Sequence, residues 1–131
     1  MSDAKTSDAV RGLDHVSLLV GDAEAACRFY VEVLGLAVLP RPDLGFPGAW
    51  LSLGGDQALH LLELPDPDPS DGRPAHGGRD RHFALRVAAT APFAERLAER
   101  GIAFTRSRSG RDALFFRDPD GNAVELLGVG G

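Results

Sequence analysis

Apolar and polar positions along this chain follow one order of elements, and that order occurs twice. Residues 13–20, LDHVSLLV, are an apolar run of strand length. The next stretch, AEAACRFYVEVLG, sets Ala26, Phe29, Tyr30, Val33 and Leu34 at the i, i+3, i+4, i+7, i+8 spacing of one helical face. Asp22 stands where an N-cap belongs, and Gly35 stands where a helix stops. Short strands are expected near 36–40, 48–53 and 57–63, punctuated by RPDLGFPG and GGD. Residues 64–80, LPDPDPSDGRPAHGGRD, are too rich in Pro, Asp and Gly for sustained regular structure and read as a linker. The order then resumes with RHFALRV as a strand and a helix that starts at Thr90 and Pro92 and ends at Gly101. Strands follow near 102–107, 112–117 and 122–128, the last two joined by the tight turn DPDG.

The pattern is thus βαβββ twice: module one at 12–63, the linker at 64–80 and module two at 81–128, one domain preceded by a flexible tail at 1–11. His82 follows His15 by 67 positions, Gly101 follows Gly35 by 66, and Glu125 follows His60 by 65, so each half carries one polar residue on its first strand and one on its last. Strand parity puts His15 with Ser17, His60 with Leu62, His82 with Ala84 and Glu125 with Ala123, while Val16, Leu18, Phe83, Leu85, Val124 and Leu126 point the other way, toward the helices. One histidine in an apolar strand is ordinarily a hydrogen-bonded core residue. Three imidazoles and a carboxylate at symmetric places instead fit a divalent metal, because a buried carboxylate is expensive unless paired or ligating.

Composition narrows the classes. With 131 residues, 44% hydrophobic and 25% charged, the chain has the size and balance of one globular domain. No apolar run approaches the roughly 20 residues of a bilayer span, so no membrane role is expected and the expected compartment is cytoplasmic. The net charge of −5 disfavours nucleic acid as a partner. Residues 1–63 hold four Lys/Arg against nine Asp/Glu, whereas 64–131 hold ten of each, so cations concentrate in the second half. The lone Cys27 reads as a small buried hydrophobe, and His76, in the linker without a repeat counterpart, reads as solvent-exposed.

The stretches HVSLLVGDAEAACRFYVEVLGL, GAWLSL, LHLLE, HFALRV and FFRDPDGNAVELL together resemble the vicinal oxygen chelate superfamily of glyoxalase I, fosfomycin-resistance thiol transferases, extradiol dioxygenases and bleomycin-resistance proteins. The resemblance implies an α+β fold, with paired βαβββ modules forming a cup-shaped mixed sheet. It further implies a homodimer whose metal sites draw ligands from one chain or both, and one divalent ion per site (Ni, Zn, Mn or Fe) that chelates a small oxygen-rich substrate, with glutathione or another thiol as co-substrate. Carried over by position, the ligands are His15, His60, His82 and Glu125, with Glu125 also the base. Ser17, Phe46, Trp50, Phe115, Arg108 and Arg111 fall where substrate would be bound, and Arg108 and Arg111 crowd one loop-strand region with Arg106 and Arg117. The chain departs from two patterns. Glyoxalase I proteins generally hold a glutamate where His60 stands, a loss that Glu63, of opposite parity, does not repair. A tyrosine expected from the fosfomycin transferases is Phe115. The expected activity is a glyoxalase I (lactoylglutathione lyase)-like reaction, with thiol transfer, ring-cleaving dioxygenation and non-enzymatic ligand sequestration as alternatives.

Overall fold

A computed structural model describes residues 8–68 and 71–131. Residues 1–7, most of the expected tail, and linker residues 69 and 70 lie outside the described residues. The elements run β1 (His15–Leu19), α1 (Ala23–Leu34), β2 (Val38–Leu39), β3 (Gly48–Gly54), β4 (Gln57–Leu62), a 3-10 turn (Gly77–Arg79), β5 (His82–Val87), α2 (Ala91–Glu99), β6 (Phe104–Arg106), β7 (Ala113–Arg117) and β8 (Ala123–Gly128). They build two mixed four-stranded sheets of identical topology, β1-β4-β3-β2 and β5-β8-β7-β6. In each, the first strand runs parallel to the last and the remaining pairs are antiparallel. This is the α+β architecture of paired βαβββ units that the repeat pattern calls for.

Helix α1 begins because the Asp22 side chain accepts from the Ala25 N–H at 3.1 Å, and it ends because Gly35 takes φ +71°, a left-handed conformation that glycine adopts without steric cost. A second carboxylate helps. Glu63 Oε1 accepts the Ala23 N–H at 2.8 Å, so the glutamate of opposite parity at the end of β4 caps the helix start. At α2 the Thr90 hydroxyl makes no cap bond; it donates to Asp112, which also accepts the Thr90 N–H at 3.2 Å.

Ala26, Tyr30 and Val33 of α1 and Leu97 of α2 are buried in one cluster with Leu51, Leu59 and Leu61 of the first sheet and Leu114, Phe116, Val124 and Leu126 of the second. Val16, Leu18, Phe83 and Leu85 pack against that cluster, as strand parity requires, and half-buried Cys27 joins its edge. Both sheets therefore turn their helix-facing sides to one shared core. The turn after β7 locks the units together. The Tyr30 hydroxyl donates to Asp118 Oδ2 at 2.8 Å, Asp120 Oδ1 accepts the Gly21 N–H at 2.8 Å, and Asn122 Nδ2 reaches the Leu19 carbonyl at 3.3 Å. Burial raises the Asp118 carboxyl above its ordinary range and, with Asp118 beside it, raises the Tyr30 phenol well above its own.

The linker is more ordered than its composition suggests. Residues 73–80 strap the outer side of the second sheet, with Gly77 buried where an added Cβ would lie 3.2 Å from Phe115 Cβ and 3.5 Å from Ala123 Cβ. Arg117 pins the strap by donating to Asp80 Oδ2 (2.8 Å) and to the Pro74 carbonyl (2.7 Å), and Arg73 adds a bond to Asp80 at 3.1 Å. The expectation that His76 is solvent-exposed is corrected. It is half-buried, with Nδ1 2.6 Å from the Thr105 hydroxyl and its ring edge-on to Phe115, because the glycines after it let the strap approach the sheet.

Candidate metal and substrate site

Registers across the two sheets place the chemistry-bearing residues in matching rows. In the first sheet Ser17, His60, Trp50 and Leu39 lie side by side across β1, β4, β3 and β2. In the second, Ala84, Glu125, Phe115 and Thr105 hold the same four places. His60 and Glu125 are therefore structural counterparts, as are Trp50 and Phe115.

The three buried polar residues of the described chain are Thr90, Asp118 and Glu125. Thr90 is bound to Asp112 and Asp118 to Tyr30 and Asn122, but Glu125, on the face turned away from the core, meets a different kind of partner. Its Oε1 lies 3.1 Å from His82 Nε2, and Arg111 Nη2 stands 3.8 Å from Oε2. His82 Nδ1 lies 2.8 Å from the Asp80 carbonyl, which can only accept, so Nδ1 carries a proton. In the neutral ring Nε2 is then a lone pair facing a carboxylate oxygen. Two acceptors at that distance need a positive charge between them, either a proton or a metal ion.

The first sheet carries the other pair. His15 Nδ1 is 2.7 Å from Asp14 Oδ1, which fixes its ring and turns Nε2 outward. His60 is sandwiched, with ring centroids 4.1 Å from His15 at 16° and 4.4 Å from Trp50 at 9°. Burial, then the neighbouring His15, lowers the His60 pKa and favours the neutral imidazole a metal would need.

The structure thus brings His15 to His60 and His82 to Glu125. Among the described residues no group of three or more His, Cys, Asp or Glu side chains is gathered to hold an ion. The first pair stands on the first sheet and the second pair on the second sheet.

Ser17 and His82 line one cleft of about 320 Å³ between β1 and β5, together with Asp66, Asp68, Arg73 and Arg81. Phe46 is half-buried beneath Arg41, whose guanidinium sits 5.0 Å above its ring and donates to its carbonyl at 3.0 Å. Arg108 is exposed, while Arg111 leans on Ser109 Oγ at 3.3 Å. Arg106 donates to Thr90 at 3.0 Å, and Arg117 is committed to the strap. Sequence reasoning missed Asp14, Asp80 and His76. Asp14 had a signal, an acid adjacent to a candidate ligand histidine; Asp80 acts on His82 through its backbone carbonyl, which no side chain announces.

With this geometry established, comparison with known proteins identifies the class. Residues 12–126 match the model of the Glyoxalase/Bleomycin resistance protein/Dioxygenase superfamily, and the chain belongs to that family. It is 33% identical over 130 residues to Glyoxylase I 4 of Arabidopsis thaliana, covering 95% of this chain and 74% of that one. It is 29% identical to Glutathione transferase FosA of Serratia marcescens, covering 89% and 80%. Among solved structures it is similar to TnmS3, an antibiotic binding protein from Streptomyces sp. CB03234, with a TM-score of 0.70, 28% identity and coverage of 91% and 96%. No helix among the described residues is long and apolar enough to cross a membrane.

Proposed function

We propose that this chain is a metal-dependent enzyme of the glyoxalase I type, acting on a small oxygen-rich substrate. The observation that carries the proposal is the His82–Glu125 pair, a buried carboxylate against an imidazole lone pair held in place by the Asp80 carbonyl. That donor set fits a divalent ion such as Ni, Zn, Mn or Fe, and His15 and His60 supply two further nitrogens from the equivalent row. In a homodimer in which the first-sheet pair of one protomer met the second-sheet pair of its partner, His15, His60, His82 and Glu125 would together hold one ion per site. The resemblance to a glyoxylase I favours isomerisation of a thiol-derived hemithioacetal.

Bound there, the ion would polarise two neighbouring substrate oxygens and acidify the adjacent C–H. Glu125 takes that proton on a carboxylate oxygen and returns it to the neighbouring carbon, and its burial at 5% exposure keeps water from competing. His82 orients Glu125, Trp50 offers a flat apolar wall, and Ser17 lines the approach cleft.

A second reading is favoured by one observation. Arg111 lies 3.8 Å from Glu125, with Arg108 in the same loop, a cationic place for an anionic substrate or thiol carboxylate. That is what thiol transfer would need, in keeping with the likeness to a glutathione transferase. Metal analysis of protein purified without added metal, then turnover of methylglyoxal with glutathione and of fosfomycin with thiols, tests both. Metal-bearing protein active on the hemithioacetal supports the first reading; metal-free protein inert toward both substrates would overturn both.

A further inference from the structure

The sandwich at His60 has a consequence for metal loading. An imidazole ligates through a nitrogen lone pair lying in the ring plane, so an ion shared by His15 and His60 must lie close to both planes, roughly 2.0–2.1 Å from each nitrogen. The two rings are stacked at 4.1 Å with only 16° between them. Planes that far apart and that nearly parallel converge well beyond ligand reach, so the rings as stacked cannot share an ion. One must turn. His15 is tethered through Nδ1 to Asp14, whereas His60 is held by stacking, and its second face lies 4.4 Å from the indole of Trp50 at 9°.

We propose that Trp50 is a positioning residue that parks the His60 imidazole out of the ligand set, and that loading a divalent ion turns His60 off the indole. This rests on the metal reading above and adds a specific cost to it. Stacking on Trp50 competes with ligation, so the indole sets how tightly the ion is held. Trp50 also becomes a built-in reporter, since it is the only tryptophan in the chain and its emission depends on what lies against the indole face.

The experiment uses the full chain and Zn²⁺, a closed-shell ion without redox chemistry. Uptake is followed by calorimetry, and selectively excited indole emission is read in parallel, above the titration range of histidine. In the wild type, emission should change in step with metal uptake, with the same midpoint, and level off when uptake is complete. In His60→Ala, emission should not respond to Zn²⁺. In Trp50→Leu, checked by circular dichroism and measured against a competing chelator, the Kd for Zn²⁺ should fall about two- to tenfold, the worth of one stacked aromatic pair. Zn²⁺ uptake with unchanged wild-type emission, a His60→Ala response like the wild type's, or a folded Trp50→Leu that binds Zn²⁺ no tighter would each overturn the parking role and leave the metal reading standing. No uptake by the wild type would overturn both.

Discussion

Replacing Asp80 by asparagine should loosen the strap over the second sheet, and the size of the effect follows from the charges around it. The Asp80 carboxylate accepts from Arg117 at 2.8 Å, from Arg73 at 3.1 and 3.2 Å, and from the Arg81 N–H at 2.8 Å, with its side chain only 13% exposed. These donors, Arg117 foremost, hold its pKa at about 2 against an ordinary 3.8. At about 1.4 kcal/mol per unit, the ionised form contributes about 2 kcal/mol to the fold. Because the folded pKa is the lower one, this stability is complete at pH values well above 3.8 and is lost as pH falls through about 2. The amide of the Asp80→Asn variant does not titrate. Urea unfolding should therefore show the variant about 2 kcal/mol less stable at neutral pH, and the gap should narrow to roughly half at pH 3. A gap of the same size at both pH values, or none at pH 7, would refute the argument. The variant should also bind Zn²⁺ more weakly, because loosening the strap displaces the Asp80 backbone carbonyl that holds His82 Nδ1.

Three further outcomes are expected. Glu125→Gln should keep its fold but lose hemithioacetal turnover by about a hundredfold or more, the usual worth of a positioned base; equal rates at matched metal occupancy would remove Glu125 from the mechanism. His60→Glu, which restores the carboxylate that glyoxalase I proteins generally hold at that place, should raise hemithioacetal turnover measured with nickel and with zinc. Damage to native activity with no gain on that substrate would point to another reaction. Tyr30→Phe leaves the buried Asp118 one donor short and should cost about 1–3 kcal/mol in thermal or urea unfolding; an unchanged midpoint would show that the bond is not needed to join the two units.

The repeat was legible because both its punctuation and its parity are local. Asp22 caps, Gly35 stops, and the alternation around His15, His60, His82 and Glu125 separates core-facing from outward residues without reference to any distant contact. What the sequence concealed depends on contacts across long separations. Asp, Pro and Gly in the linker correctly forecast little regular structure, yet composition carries no information on where such a segment lies, and His76 packs on Phe115 only because Gly77 and Gly78 permit close approach. Arg117 looked like part of a surface cation cluster, but its partners are an aspartate 37 residues away and two carbonyls. Symmetry likewise paired the four candidate ligands without revealing which of them share a face within one chain.

Duplication gave the two sheets the same rows, and the residues in those rows have diverged in complementary ways. Where the first sheet has His60 stacked on Trp50, the second has Glu125 beside Phe115. The first row holds stackable rings. The second is overlaid by the strap and holds a carboxylate at 5% exposure, with His82 and Arg111 placed beside it. A site that joins one row of each kind receives neutral nitrogen donors from one side and a negative charge from the other. Two copies of either row alone would supply only neutral imidazoles or crowd two carboxylates together. In the homodimer proposed above, the unlike row would come from the second copy, with the first sheet of each chain against the second sheet of the other.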